Sequence, residues 1–357
     1  MNREIELPSI NPRKSIVLIA LGMGVYFIYL YHVGFHNVLE SLANVDPAVF
    51  SLGFFLALLG VLGDSLAWRK VAEKFDYSVS IADMFYMYLS CIFLNNLIPS
   101  GSFSGESARI YFMEKIVPNS RFDKSSATVA ATRIITAVPF FVGTLVGLAY
   151  LVFKTDAPAW ALAACSGITI VLLFVNAIFF GICFADNWLD RIICTIIDFV
   201  EKLFHISVDK NLCRGIVSQF HQSMQMLATH KKTLFISTFW AVAAWLSMTL
   251  VASVTFRSMG IKVPLEAVFA VYAVMIFLQM LPLLLPGGVG LVDIVMITLF
   301  NAIGVPMHEA IAATILIRVV QLWFLTAVGG LATVHLVRKI NKDPSKRGLT
   351  EHVAKGF

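Results

Sequence analysis

The chain is short of charge. Asp, Glu, Lys and Arg make up 14% of its 357 residues, where a soluble chain of this size carries about 25%. That shortage excludes an ordinary solvated surface. Cysteine is scarce too: the five present (Cys91, Cys165, Cys183, Cys194, Cys213) show no CxxC spacing. The sequence thus offers no zinc site, metal centre or disulfide framework, and these thiols read as small apolar packing residues. No HExxH motif occurs. Ser102-Phe103-Ser104-Gly105 misses the G-x-S-G serine pattern, and Gly288-Val289-Gly290-Leu291 lacks the aspartate of a GxGD site. All eight histidines (His32, His36, His205, His221, His230, His308, His335, His352) fall at or beyond the edges of apolar runs. No enzyme centre and no cofactor site emerge. The net charge of +5 does not point to nucleic acid, because the basic residues gather at the ends of apolar segments.

What is present in quantity is apolar sequence, 58% of the chain. Candidate spanning segments run near 15–34, 48–67, 80–98, 126–153, 158–184, 233–256, 266–284 and 309–337. At 1.5 Å per residue, about 20 residues cross a hydrocarbon core of roughly 30 Å. The expected class is an all-α, polytopic integral membrane protein with about eight spanning helices. The first run follows Arg13 and Lys14, lacks a small-residue cleavage site, and reads as a retained helix. Two further apolar stretches, 102–113 and 290–303, are too short to span. Each follows a Pro/Gly cluster, Ile98-Pro99-Ser100-Gly101 or Leu285-Pro286-Gly287-Gly288.

Lysine and arginine placement sets the orientation. With both termini in the cytoplasm and each short stretch returning to the side its preceding helix came from, 21 of the 27 basic residues lie inside and only Lys154, Arg257 and Lys262 lie outside. Arg109, Arg133 and Arg318 remain within the apolar sequence. A full crossing at only one short stretch would split the basic residues between the two faces. Full crossing at both is an alternative that keeps the count. The re-entrant arrangement gives two broken-helix hairpins in inverted repeats, about 80–153 and 266–337, an architecture of transporters. The chain then divides into a cytoplasmic N-terminus (1–14), a transmembrane domain (15–338) and a basic cytoplasmic tail (339–357). Within the domain, 185–232 is polar, with Trp188, Ile192, Ile196, Val200 and Leu203 at helical spacing. It reads as an amphipathic cytoplasmic segment, lying on the leaflet or packed on the bundle.

The two breaks carry parallel chemistry. The first reads Asn96, Pro99, Ser100, Gly101, Ser102, Ser104, Gly105, Glu106, Arg109, with Arg133 in the next helix. The second reads Gln279, Pro286, Gly287, Gly288, Gly290, Asp293, with Arg318 in the next helix. Gly105 to Arg133 and Gly290 to Arg318 are both 28 residues. Proline and glycine stop a helix, and the freed backbone groups must line protein or a polar cavity. A helix that restarts there presents N–H donors and a positive dipole end suited to phosphate or carboxylate. An arginine at a helix centre costs roughly 2.5–3.5 kcal/mol on insertion scales, so lipid-facing placement is disfavoured. Arg133 and Arg318 fall roughly 10–14 Å deep from opposite faces. Glu106 and Asp293 are their natural partners, and an arginine fork also binds phosphate at two points. Asp64 and Asp83, near helix ends, read as capping, snorkelling or pairing with Arg69. Trp68, Trp160 and Trp188 read as interface anchors.

At these residues the chain resembles a flippase-like membrane family related to the transmembrane region of lysylphosphatidylglycerol synthase/flippase, which has stand-alone bacterial and archaeal members. The family pattern is carried by Asn96, Pro99, Gly101, Gly105, Glu106 and Arg109, then Arg133. It is carried again by Pro286, Gly287, Gly288, Gly290 and Asp293, then Arg318. Asp293 stands where glutamate is expected, and no synthase domain follows. The resemblance implies a prokaryotic cell-membrane protein that moves a polar-headed lipid between leaflets. The cargo would be an anionic phospholipid, an aminoacylated lipid or a lipid-linked sugar. A separate lipid-modifying enzyme is the expected functional neighbour. The alternatives are an intramembrane lipid-modifying enzyme, such as a lipid-linked sugar transferase, and a non-transporting partner subunit of one.

Overall fold

The computed structural model describes residues 35–98, 103–154, 158–160, 162–163, 165–167, 169–171, 174, 222–280 and 286–342. These residues are helical, joined by turns, with no strand among them. In chain order the helices are α1 (Phe35–Ala43), α2 (Pro47–Ala72), α3 (Ile81–Leu97), α4 (Phe103–Ile116), α5 (Phe122–Lys154), α6 (Lys231–Ser258), α7 (Leu265–Met280), α8 (Leu291–Ala302), α9 (Met307–Arg318) and α10 (Leu325–Lys342). A π-helical turn over Val319–Phe324 joins the last two. The starts obey local rules. The Asp46 carboxylate accepts from the Ala48 and Val49 N–H groups at 2.9 and 3.3 Å, with Pro47 at the first helical position of α2. The Ser80 hydroxyl oxygen accepts from the Asp83 N–H at 3.0 Å to open α3.

Among the described residues, four helical stretches are long and apolar enough to cross a membrane: Pro47–Phe75, Phe122–Lys154, Lys231–Ser258 and Met307–Lys342. Large apolar side chains on them point outward, among them Phe55 at 65%, Phe235 at 75% and Leu331 at 73% exposed. The chain is a multi-pass membrane protein. Helices α3 and α7, of 17 and 16 residues, fall short of the roughly 20 needed to span. Helix α3 stops where its Pro/Gly cluster begins, at Ile98, and residues 281–285 after α7 lie outside the described residues. Of the other expected features, segment 15–34, most of 185–232 and residues 343–357 of the tail lie outside the described residues; 158–184 is described in part.

Lipid offers no hydrophobic drive between helices, so close packing and hydrogen bonds hold them. Small residues supply the packing. Gly60 and Gly63 of α2 lie against Ala244 of α6, and Gly147 of α5 lies against Ala270 of α7. The Ser237 hydroxyl donates to the Ala67 carbonyl at 2.8 Å, and the Asp46 N–H donates to the Ser258 carbonyl at 2.7 Å. Helices α2 and α6 therefore run antiparallel along their length. Helix α3 packs on α10 and α7 on α5, so each short helix lies against the last long helix of the other broken segment.

These contacts fix two ends. At one end the Lys339 ammonium meets Asp83 at 2.6 Å, the Arg69 Nε donates to the Val79 carbonyl at 3.0 Å, and the Tyr77 hydroxyl accepts from the Arg121 N–H at 2.9 Å. Tyr77 precedes α3 and Arg121 follows α4, so the feet of the α3–α4 hairpin meet there. At the other end Phe300 of α8 packs edge-on against Phe256 of α6 at 4.9 Å, beside the turn into α7. The feet of the α7–α8 hairpin lie there. The described basic residues follow this division. Arg69, Lys70, Lys74, Arg121, Lys124, Lys231, Lys232, Arg338 and Lys339 sit at the first end, and Lys154, Arg257 and Lys262 at the second.

Candidate functional site

The first break is built by adjacent asparagines with different tasks. Helix α4 begins with N–H groups that have no partner inside the helix. The Asn95 side-chain oxygen accepts one of them, from Gly105, at 2.7 Å, and also accepts from the Ser104 hydroxyl at 3.3 Å. Glycine is required at 105 by proximity, since a Cβ there would lie 2.5 Å from the Asn95 amide carbon. Asn96 turns away and donates to the Thr326 hydroxyl of α10 at 2.9 Å. Ser100, Gly101 and Ser102 lie outside the described residues.

One turn into α4, Glu106 gathers two arginines. One carboxylate oxygen accepts from Arg109 Nη1 at 2.9 Å, and the other faces Arg133 Nη1 of α5 at 3.5 Å. The two cations differ in access. The Arg109 side chain is 2% exposed and the Arg133 side chain 39%. Arg109 lies over the Trp68 ring at 4.2 Å and the Tyr88 ring at 5.0 Å, a cation–π sandwich that offsets part of its desolvation. Its Nε and Nη2 have no hydrogen-bond acceptor among the described residues. Trp68 is held in turn by its indole N–H, which donates to Thr128 at 3.1 Å.

The second break is closed on itself. Gly287, Gly288 and Gly290 take φ of 61°, 66° and 89°, a region that glycine enters without Cβ strain. One Asp293 oxygen accepts from the Gly290 N–H at 2.8 Å, and the other meets Arg318 Nε at 2.7 Å. Arg318 also donates through Nη2 to the Gly287 carbonyl at 2.5 Å. Both side chains of the pair are under 10% exposed. The shorter acid is thus fully committed. The π-helical turn after Arg318 brings Gln321 to donate to the Met248 carbonyl at 2.7 Å. Such turns often accompany functional sites. The two breaks approach one another, for a Cβ on Gly287 would sit 3.6 Å from the Asn96 carbonyl oxygen.

Residues 15–329 match the family of the lysylphosphatidylglycerol synthase transmembrane region. The chain belongs to that family. Relatives include UPF0104 membrane proteins of three archaea. That of Pyrococcus horikoshii is 26% identical over 325 residues, covering 89% of this chain and 96% of the relative. One from Methanothermobacter thermautotrophicus is 25% identical, covering 88% and 94%. One from Methanocaldococcus jannaschii is 24% identical, covering 93% and 98%. A lysylphosphatidylglycerol synthase transmembrane region is lipid-related by its description, and family membership gives this chain a membrane-lipid context.

Within this family member the expected pairings Glu106–Arg109, Glu106–Arg133 and Asp293–Arg318 are all formed. Two readings need correction. Asp64 does not pair with Arg69, which meets Glu73 at 3.5 Å instead; Asp64 faces Tyr88, Arg109 and Arg133. Trp68 is no interface anchor, being fully buried beneath Arg109. Gln279 is exposed at the end of α7, and at the first break Asn95 is a further amide that sequence reasoning did not single out. Asp83 stands in the first turn of its helix, where Ser80 is the cap and donates its hydroxyl to the Asp83 carboxylate, and Asp83 also holds Lys339. The signal for Asn95 was its place beside Asn96. Asp64 and Trp68 gave a signal too, four residues apart on one helix face.

Proposed function

We propose that this chain translocates a polar-headed, phosphate-bearing lipid between membrane leaflets, with the head group held at the first break. One observation carries the reading. Arg133 stands 11 residues into a long spanning helix, about 16 Å from its start, and is 39% exposed while its carboxylate partner is shared with a buried arginine. An open guanidinium inside the hydrocarbon span suits a phosphate in two-point geometry. Arg109 serves to hold Glu106, and the second break serves as a fixed counterpart. The two hairpins are taken as re-entrant and inverted, which the opposite placement of their feet supports. The basic end then faces the cytoplasm. Acyl chains stay in lipid while the head group crosses, and a separate enzyme supplies or consumes the modified lipid. The chain is read as a carrier, without bond-making chemistry of its own.

Reconstitution in phosphatidylcholine vesicles with fluorescent phosphatidylglycerol tests this. The wild type is expected to expose the inner-leaflet label to an external quencher, and Arg133→Ala to lose that rate by tenfold or more. Arg257→Ala, at the opposite end, is expected to behave as wild type. A folded Arg133→Ala protein that moves lipid at the wild-type rate overturns the site.

A further inference from the structure

Asp64 stands outside both broken-helix motifs, yet the fold brings it to the first. Ala57, Val61, Asp64, Trp68 and Val71 form one stripe of α2, and the other four are fully buried. The stripe faces the first break, because Trp68 carries Arg109 on its ring. The ionisable groups around Asp64 are Tyr88 and Cys91 from α3, Glu106 and Arg109 from α4, and Arg133 from α5. Helix α6, which also packs on α2, contributes no ionisable side chain between residues 233 and 256. The hydroxyl of Tyr88 is a polar neighbour of Asp64. Asp64 makes no ion pair among the described residues, whereas both oxygens of Glu106 are engaged by arginines.

The charges then decide what can enter. Two arginines and two carboxylates cancel when all are ionised. A phosphodiester arriving beside Arg133 leaves the cluster one negative charge in excess. Such a charge within the hydrocarbon span is costly. Glu106 cannot release it without abandoning Arg109, whose Nε and Nη2 already lack acceptors among the described residues. Asp64 has no such duty. With a proton on Asp64 the cluster carries one net positive charge, matched to one phosphodiester.

We propose that Asp64 takes up the proton that accompanies an anionic head group into the first break, making this chain a proton-coupled carrier of phosphodiester lipids. The proposal rests on the translocation reading above and adds its coupling ion. A proton from the aqueous phase adds to one Asp64 carboxylate oxygen as the head group binds, and it leaves when the head group departs. No bond of the lipid is made or broken. Linkage makes the effect reciprocal: the anion favours the proton, and the proton favours the anion.

The test uses the purified full chain and glycerophosphoglycerol, a water-soluble phosphodiester whose single charge does not titrate near neutrality. Wild-type affinity is expected to rise as pH falls, by up to about tenfold per pH unit, the limit for one linked proton. Asp64→Asn is expected to bind with the wild type's low-pH affinity at every pH. Asp64→Glu is expected to restore the slope, which separates proton binding from a structural role. A wild type that binds without a slope, or an Asp64→Asn protein that keeps it, overturns the proposal. Binding by neither at any pH overturns it together with the anion site. An Asp64-dependent slope without movement of phosphatidylglycerol in vesicles upholds the proton role and removes the translocation reading.

Discussion

Asp293 and Arg318 meet at 2.7 Å with both side chains more than nine-tenths buried. The pair joins the start of α8 to the end of α9 and, through the Gly287 carbonyl, pins the glycine turn between them. Removing one partner strands a buried charge, whereas replacing both does not. Asp293→Asn is therefore expected to cost about 3–5 kcal/mol, seen as a lowered thermal midpoint in detergent. Asp293→Leu with Arg318→Met is expected to recover much of that loss. Equal losses in both proteins would show that the pair is not the source.

Arg109 and Arg133 share a carboxylate but differ in what they do. Arg109→Ala empties the space over Trp68 and leaves Glu106 with a single distant partner, so it is expected to destabilise the fold. Arg133→Ala removes a half-exposed side chain and is expected to unfold near the wild-type temperature while losing lipid movement. Unfolding curves measured beside vesicle assays separate the two. The reverse pattern would exchange their roles.

Asn95 accepts an N–H that α4 cannot satisfy internally. Asn95→Ala is expected to cost about 1 kcal/mol, as for other lost caps, whereas Asn95→Asp preserves the acceptor. Hydrogen exchange of the Gly105 amide is the direct measurement. It is expected to speed up in the alanine variant and to stay slow in the aspartate variant.

Cysteine labelling tests the hairpins. In a cysteine-free background, Ser78→Cys and Pro118→Cys flank the first hairpin, and Lys262→Cys and His308→Cys flank the second. An impermeant maleimide is expected to reach the first two from one side of the membrane and the last two from the other. Ser78 and Pro118 labelling from opposite sides would mean that the first hairpin crosses fully.

How much of this was legible beforehand depended on distance along the chain. Glu106 and Arg109 are one helical turn apart, and that spacing alone predicts their contact. Arg133 and Arg318 were legible because an arginine in an apolar helix needs a carboxylate, and each had one nearby. Asp64, Trp68 and Tyr88 reach the same cluster from α2 and α3, and only packing of whole helices decides which faces meet. The choice between Asn95 and Asn96 was likewise invisible, since adjacent residues on a helix point about 100° apart. The two breaks differ because Asp293, the third residue of α8, reaches back to the Gly290 N–H while it meets Arg318, whereas Glu106 is the fourth residue of α4 and is shared by two arginines.

The contacts of α3 set the timing of assembly. Asn96 waits 230 residues for Thr326, Asp83 waits 256 for Lys339, and Gly329 fills the space beside Leu89. At ordinary synthesis rates that interval is on the order of tens of seconds. The earliest broken helix is therefore inserted well before the helix that holds it exists, and its polar tip must be sheltered by something else until the chain is finished.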